Sequence, residues 1–434
     1  MTSHQIRATF LEYFRERGHQ IIGSSPSVPD NDKTLLYINS GMAPLKSFFT
    51  REQIPPFPRL CNIQRCIRTN DIENVGDVHH LTFFEMMGNW SIGDYFKERA
   101  ITFAWELMKD VYGFDTNRLV ATFYGGDSLL PSVPADNESR RIWQGLIPNE
   151  RVVPLGADSN FWGPTSKTGP CGPCTEVFID RGQHVGCLRP TCGPDCGCGR
   201  FIEIWNAGVF MQYNMNEDRS LTELPMRSVD AGAGLDRFAM VLQGTGSVYE
   251  TDLLVPIMET VRSSQANPPE QSLRIIADHI RCATFIIADG VRPANTRREY
   301  VLRRLIRQSV LHAKLANVEL ERLPEIAKVV VDLYKPYYPE LLPATGWIEG
   351  TIRGEITVFG RTLSRGLAEL DKIITHSTDT ISGEDVFRLY DTFGMPLEIT
   401  RELVSERNMT IDEQGFANAM ETQRKRSRQS KLPS

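Results

Sequence analysis

Apolar residues recur along this chain with two different periods. Ile6, Phe10, Leu11 and Phe14 lie at helical spacing, which predicts an amphipathic first helix with one buried stripe. Residues 35–39, 59–68, 81–87 and 200–213 read as strands or strand pairs, and 96–111 and 235–242 as helices. Up to about residue 245 strands outnumber helices, and several neighbours are joined by short loops. That pattern predicts an antiparallel sheet with helices packed against it. From about residue 250 the period becomes helical: 273–288, 298–314, 323–337, 351–375 and 413–429 carry apolar residues on one face. The expected fold class is α+β, an antiparallel sheet flanked by helices and followed by an all-helical part. The expected domains are 1–245 and 246–434, divided near Gln243-Gly244-Thr245-Gly246-Ser247.

Hydrophobic residues make up 41% of the 434 and charged residues 24%, a balance that allows two or three packed domains. No apolar run approaches the ~18 residues of a membrane-spanning helix, so no membrane partner is expected. Glu12 and Glu16 interrupt what an acid-poor organelle presequence would require, which leaves a packed first helix and a cytoplasmic location as the expectation. The net charge of −6 argues against a simple basic glove for nucleic acid, although a local basic face can still meet a phosphate backbone. One basic run, Arg424-Lys425-Arg426-Ser427-Arg428, is read first as a solvated helix end and second as a nucleic-acid contact.

Six of the nine cysteines fall between Cys171 and Cys198. In a chain with no signal peptide, such a cluster reads as metal-binding before it reads as disulfides. Cys187, Cys192, Cys196 and Cys198 offer four thiolates in a glycine- and proline-rich loop, enough for tetrahedral Zn2+; free thiols or a disulfide are the alternatives.

Two segments suggest nucleotide chemistry. Residues 59–91 form a strand, a polar loop and a second strand, with Arg68 closing the first strand and Phe83-Phe84-Glu85 opening the second. Arginine suits an α-phosphate through bidentate, charge-assisted hydrogen bonds, and a phenylalanine offers a flat face to adenine. Asp230-Ala231-Gly232-Ala233-Gly234-Leu235-Asp236-Arg237 reads as a sharp glycine turn leading into a helix, with an arginine aimed back at the same ligand.

Together these segments resemble motifs 2 and 3 of class II aminoacyl-tRNA synthetases. The wording is similar to the alanyl-tRNA synthetases in Thr82-Phe-Phe-Glu-Met, Gly88-Asn-Trp-Ser and Gly93-Asp-Tyr-Phe-Lys97. The same holds for Asn160-Phe-Trp162, Thr168-Gly-Pro-Cys-Gly-Pro-Cys-Thr-Glu176, Glu203-Ile-Trp-Asn206 and Tyr300-Val-Leu-Arg-Arg304. The likeness runs in family order over essentially the whole chain.

The resemblance implies activation of alanine by ATP, with Mg2+ on the phosphates, and transfer to the 3′ end of alanine tRNA. By similarity Arg68 holds the α-phosphate and the carboxylate, and Arg237 the γ-phosphate end of a bent ATP. Phe83 or Phe84 lies under the adenine, since strand alternation sends them to opposite faces, and His79 and His80 reach phosphate or the tRNA end. Asp230 pairs with the alanine ammonium, Asn206 adds a polar contact, and Met86, Trp162, Val209 and Gly232 surround the methyl. Cys171 and Cys174 are assigned to the pocket walls. In the second domain Asn295 and Asp391 read the G3:U70 pair of the acceptor stem, while Arg303, Arg304 and Arg307 hold its phosphates.

The segment between Asn206 and Phe210 reads one residue longer than the family pattern. No editing or dimerising domain is seen after Gln429, so a monomer is expected. Two other readings compete: tRNA-independent adenylation of a small amino acid for a carrier protein or natural product, and a non-catalytic tRNA-binding relative.

Overall fold

The computed structural model describes residues 1–29, 35–164, 167–262 and 268–429, with side chains through 423. The side chains of the basic run Arg424 to Arg428 therefore lie outside the described residues. The chain divides into two compact units, Met1–Glu259 and Thr260–Ser434. The division falls beyond the Gln243 to Ser247 stretch because the residues after it are tied to the first unit. Ser247 Oγ and the Val248 N–H both donate to the Val78 carbonyl at 3.0 Å, and Val248 and Tyr249 are buried.

Among the described residues of the first unit, nine strands form a mixed, mainly antiparallel sheet. They are β1 (Gln20–Ile21), β2 (Arg59–Ile67), β3 (Phe83–Ile92), β4 (Leu119–Tyr124), β5 (Val152–Leu155), β6 (Phe161–Trp162), β7 (Gly169–Asp180), β8 (Phe201–Met215) and β9 (Leu221–Gly234). The order across the sheet is β1-β2-β3-β9-β8-β7-β4-β5, with β6 beside β7. Only β1 with β2 and β4 with β5 pair in parallel. The α+β expectation holds.

Strand alternation gives the sheet two apolar faces. On one, Phe10 and Phe14 of the first helix (Ser3–Glu16) pack with their rings 4.8 Å apart, and Trp205 meets Phe238 at 5.7 Å. That helix starts with a capping box, Thr2 with Gln5, and its Arg7 forms a buried ion pair with Glu85 of β3. On the other face Met42, Phe49, Leu60, Trp90 and Met211 form a buried cluster under the cleft described below.

Residues 35–39 do not form a strand. Ile38 makes single backbone bonds, accepting from Ile67 N–H and donating to the Ser27 carbonyl, and no ladder develops. The glycine- and proline-rich segment from Gly169, by contrast, is the long strand β7. Pro173 has no N–H to offer, and the β7–β8 register breaks between Cys171 and Cys174, so the ladder steps around it.

The second unit is helical apart from one two-residue parallel strand pair, Thr380–Ile381 with Thr410–Ile411. Its central helix, Glu270–Ala288, is buried almost throughout. Helix Arg297–Leu315 packs on it, tied by His279 Nε2 to Gln308 Oε1 at 3.1 Å. Helix Leu341–His376 runs across both, burying Ile348, Ile352, Glu355, Phe359 and Leu363 at helical spacing. Among the described residues no helix is long and apolar enough to cross a membrane.

Candidate active site

A cleft of about 610 Å³ opens over the ends of β2, β3, β7, β8 and β9, and Arg68, Asp230 and Arg237 all line it. Its size suits a nucleotide with a small second substrate. Arg68 follows the last residue of β2; its backbone N–H donates to the Thr82 carbonyl and its Nε to the Asn39 carbonyl at 3.2 Å. The guanidinium lies over the Phe84 ring, 4.7 Å from its centroid. Alternation along β3 separates the two phenylalanines: Phe84 lines the cleft, while Phe83 is fully buried.

Asp230 sits near the end of β9, paired across the sheet with Trp90 of β3 and Val209 of β8. It caps no helix. Its Oδ1 accepts the Trp90 indole N–H at 2.7 Å, and burial pushes the carboxyl up to about 7 against that one hydrogen bond. A buried acid with one neutral donor is poised for a cation, whose arrival would stabilise the ionised form. The indole reaches Asp230 by lying across Gly88, where a Cβ would come within 2.3 Å of the ring.

The glycines of this segment do not turn the chain. Gly232 and Gly234 lie within β9, and Leu235–Gln243 begins a helix directly afterwards. At Gly232 what matters is absence of bulk: a Cβ there would stand 3.0 Å from the Met86 side chain on the cleft floor.

The extra residue between Asn206 and Phe210 is a β-bulge. Asn206 pairs with Gly232 but Val209 with Asp230, so β8 spends three steps where β9 spends two. Strict alternation would turn Asn206 and Val209 to opposite faces; the bulge brings both to the cleft. Met86 and Trp162 line it too.

Two acids complete the site. Glu176 of β7 accepts the Asn206 amide at 3.1 Å, and burial together with nearby Glu203 pushes its carboxyl well above the usual range. Glu203 binds Arg237 through its Oε2 and its backbone carbonyl, both at 3.2 Å. Neither acid, nor Trp90, is assigned a role in the sequence reading, although all three lie inside the quoted family motifs. Cys171 and Cys174 are buried in the sheet and do not line the cleft.

At the rim, the loop between β2 and β3 folds around Asp77, which accepts the backbone N–H groups of His79 and His80 at 2.9 and 2.7 Å and His80 Nδ1 at 2.5 Å. His79 lines the cleft, and burial together with the Arg237 guanidinium holds its imidazole down at about 4, neutral at physiological pH. His80 faces Asp77 and is not among the cleft residues.

Cys187, Cys192, Cys196 and Cys198 converge, their sulfurs all within 4.8 Å of one another. The Cys187–Cys196 and Cys192–Cys198 separations are 3.5 and 3.4 Å, against about 3.8 Å between ligands of a tetrahedral zinc thiolate site. All nine cysteines are free. Hydrogen bonds from Arg189 hold the Cys187 thiol down at about 6 and backbone N–H groups lower Cys198, whereas desolvation and the neighbouring sulfurs push Cys192 up to about 12 and Cys196 upward.

In the second unit Asn295 and Asp391 are exposed. Arg303 donates to Asn295 Oδ1, and Gln423 donates to Asp391 Oδ1. The three arginines expected at phosphates are engaged within the protein: Arg303 and Arg307 with Glu355, and Arg304 with Glu398.

A sheet whose cleft gathers an arginine after β2, a buried acid in β9 and an arginine from the helix that follows defines a class II synthetase core. Residues 5–433 match the family model described as tRNA synthetases class II (A), and the chain belongs to that family. The Alanine--tRNA ligase of Natranaerobius thermophilus is 41% identical over 447 residues, covering 100% of this chain and 50% of that protein. The Alanine--tRNA ligase of Clostridioides difficile is 40% identical over 441 residues, covering 99% and 49%. The chain thus spans about half the length of the curated relatives it matches. The histidyl-tRNA synthetase of S. aureus aligns over 55% of this chain and 66% of its own at 12% identity, with a TM-score of 0.33, a likeness too remote to build on.

Proposed function

We propose that this chain activates alanine with ATP and transfers it to the 3′ end of alanine tRNA. The observation that carries the reading is the convergence of Arg68, Asp230 and Arg237 on one cleft beside a floor cleared by Gly232. Asp230 takes the ammonium, and Arg68 draws the carboxylate and α-phosphate together for in-line attack. Arg237 exchanges Glu203 for the γ-phosphate. Phe84 faces the adenine, and His79, neutral, lies at the phosphate end. Catalysis here is positioning and charge compensation rather than covalent chemistry by the protein. Glu203 beside Arg237 is an oxygen donor that would hold Mg2+, and that ion would supply charge neutralisation at the phosphates when bound. The methyl sits among Met86, Trp162 and Val209.

In this reading the first unit is the catalytic domain and the second the tRNA-recognition domain. Asn295 and Asp391, exposed and each braced by one neighbour, read the G3:U70 pair. A cytoplasmic location belongs to the same reading.

Pyrophosphate exchange with each amino acid, followed by charging of G3:U70 and G3:C70 tRNA, tests the whole. Exchange is expected with alanine and charging with the G3:U70 form. Asn295→Ala should weaken charging by roughly 10-fold or more, the value of one good groove contact, and leave exchange unchanged. Exchange without charging of either tRNA would favour adenylation for a carrier protein. Neither activity would favour a non-catalytic relative.

The four clustered cysteines would hold a structural zinc that pins the insert between β7 and β8 and takes no part in the chemistry. Purified protein should contain one zinc per chain, and Cys192→Ser together with Cys198→Ser should abolish it. Full zinc content in that double variant would rule the site out.

A further inference from the structure

Helix Arg297–Leu315 presents Tyr300, Arg303, Arg304 and Arg307 at i, i+3, i+4 and i+7, one continuous stripe. Such a basic stripe on an RNA-binding unit would ordinarily be assigned to phosphates. Here its members end on protein groups. Tyr300 Oη donates to Glu398 Oε2 at 2.9 Å, and Arg304 lies 4.0 Å from the same carboxylate. Arg303 and Arg307 share Glu355 Oε1, at 3.4 and 2.6 Å.

Glu355 is a carboxylate on the buried face of helix Leu341–His376, with its side chain only 6% exposed. Each of its two arginines has a second hold. Arg303 donates to Asn295 Oδ1 and, at 3.3 Å, to the Pro293 carbonyl. Arg307 donates to the carbonyl of Gly394 and stacks over Phe359, 4.8 Å from its centroid. Gly394 is the left-handed residue that closes helix Gly383–Phe393, the helix that bears Asp391 near its end. A Cβ there would stand 3.0 Å from Arg307 Nη1. One buried carboxylate is thus linked through one arginine to the Asn295 loop and through the other to the end of the Asp391 helix.

We propose that Glu355 is a positioning residue for acceptor-stem recognition: it fixes the Asn295 loop and the Asp391 helix end relative to one another through Arg303 and Arg307. The inference rests on the proposed reading of Asn295 and Asp391. A rigid pair of readers must be held in register by groups whose own geometry is locked, and a buried acid shared by two planar guanidiniums does this. Without it the two half-buried arginines lose their counter-charge, keep only neutral acceptors and are freer to swing toward water.

The test uses the whole chain with Glu355→Gln, which keeps the side-chain volume and one acceptor, and Glu355→Asp as the conservative rescue. Alanine-dependent pyrophosphate exchange should stay at the wild-type value, because the nucleotide cleft is lined by the first unit. Charging of G3:U70 tRNA should fall about 10-fold in kcat/KM, and its preference over G3:C70 should shrink by a similar factor. Combining Glu355→Gln with Asn295→Ala should add little to Asn295→Ala alone. Glu355→Asp should recover part of the discrimination. A role confined to packing would lower the melting temperature and the active fraction but leave the G3:U70 to G3:C70 ratio untouched, and that result overturns the proposal. So does a Glu355→Gln variant with wild-type charging, while a wild-type protein that charges neither tRNA removes the parent reading and this one with it.

Discussion

Asp230→Asn is expected to remove alanine activation almost completely while leaving the fold intact. In the proposed reading the carboxylate is the buried anion offered to the substrate ammonium, and among the described residues its side-chain hydrogen bond comes from the Trp90 N–H. Stripping one charge from such a buried pair costs about 3–5 kcal/mol, which corresponds to a loss of at least ~100-fold in alanine affinity. Asparagine keeps an acceptor for the indole, so Trp90 stays seated. The pH dependence gives a second reading of the same group. With its carboxyl pushed up to about 7 by burial, Asp230 must shed a proton before it can pair with the ammonium. Wild-type alanine affinity should therefore weaken about tenfold per pH unit below that value and level off above it. The Asn variant should bind weakly at every pH. For stability the sign is opposite: a raised folded pKa favours the protonated fold at low pH, and that benefit is lost as pH rises through about 7. Above that pH the variant should melt no lower than wild type. Equal alanine affinity in the two proteins, measured by calorimetry, would sink the assignment.

β2 and β3 were legible as two strand-like runs flanking a polar loop, although both are buried almost throughout rather than alternating, and the helical second half was legible from its period. Legibility failed where a residue type carried two meanings. Glycines at 232 and 234 read as a turn because glycine is most often selected for its backbone freedom. They are strand residues, and at Gly232 the missing side chain leaves the cleft floor clear beside Met86. β7 was hidden because proline and glycine signal loops, and nothing local announces that a bulge will absorb Pro173. The bulge at Asn206 had a sequence trace, one extra residue, but its consequence depends on pairing with β9, which no local pattern encodes. The arginines of the second unit show the same limit in reverse. Their charge suggested phosphate, whereas Glu355 and Glu398, far along the chain and within unremarkable helical sequence, are their partners. Arg68 and Arg237 were singled out from their own segments and Asp230 through the resemblance, but their convergence depends on strand order, which only the fold supplies.

Arg68→Ala is expected to have an effect of comparable size on a different step. The side chain is fixed by the Asn39 carbonyl and the face of Phe84, so its guanidinium edge is presented to the cleft without needing to search for its place. Removing a preorganised cation at the centre where charge develops should lower the exchange rate by about 10²–10³-fold. Because the interaction strengthens in the transition state, the loss should appear mainly in kcat, with a smaller rise in the KM for ATP. Lysine should rescue poorly, since it offers a point charge where carboxylate and phosphate oxygens need a planar fork, and it cannot stack on Phe84 in the same way. Asp230→Asn should instead act mainly on alanine binding, so the two variants differ in which kinetic constant moves. Melting of Arg68→Ala should change little, because the backbone bond from residue 68 to Thr82 that closes the β2–β3 junction involves no side chain. Supplying chemically made alanyl-adenylate should restore much of the transfer to tRNA, because the step that depends on the α-phosphate contact is then bypassed. An Arg68→Ala protein that exchanges within threefold of wild type, or one that fails equally with adenylate supplied, would show that this arginine does not serve the first step.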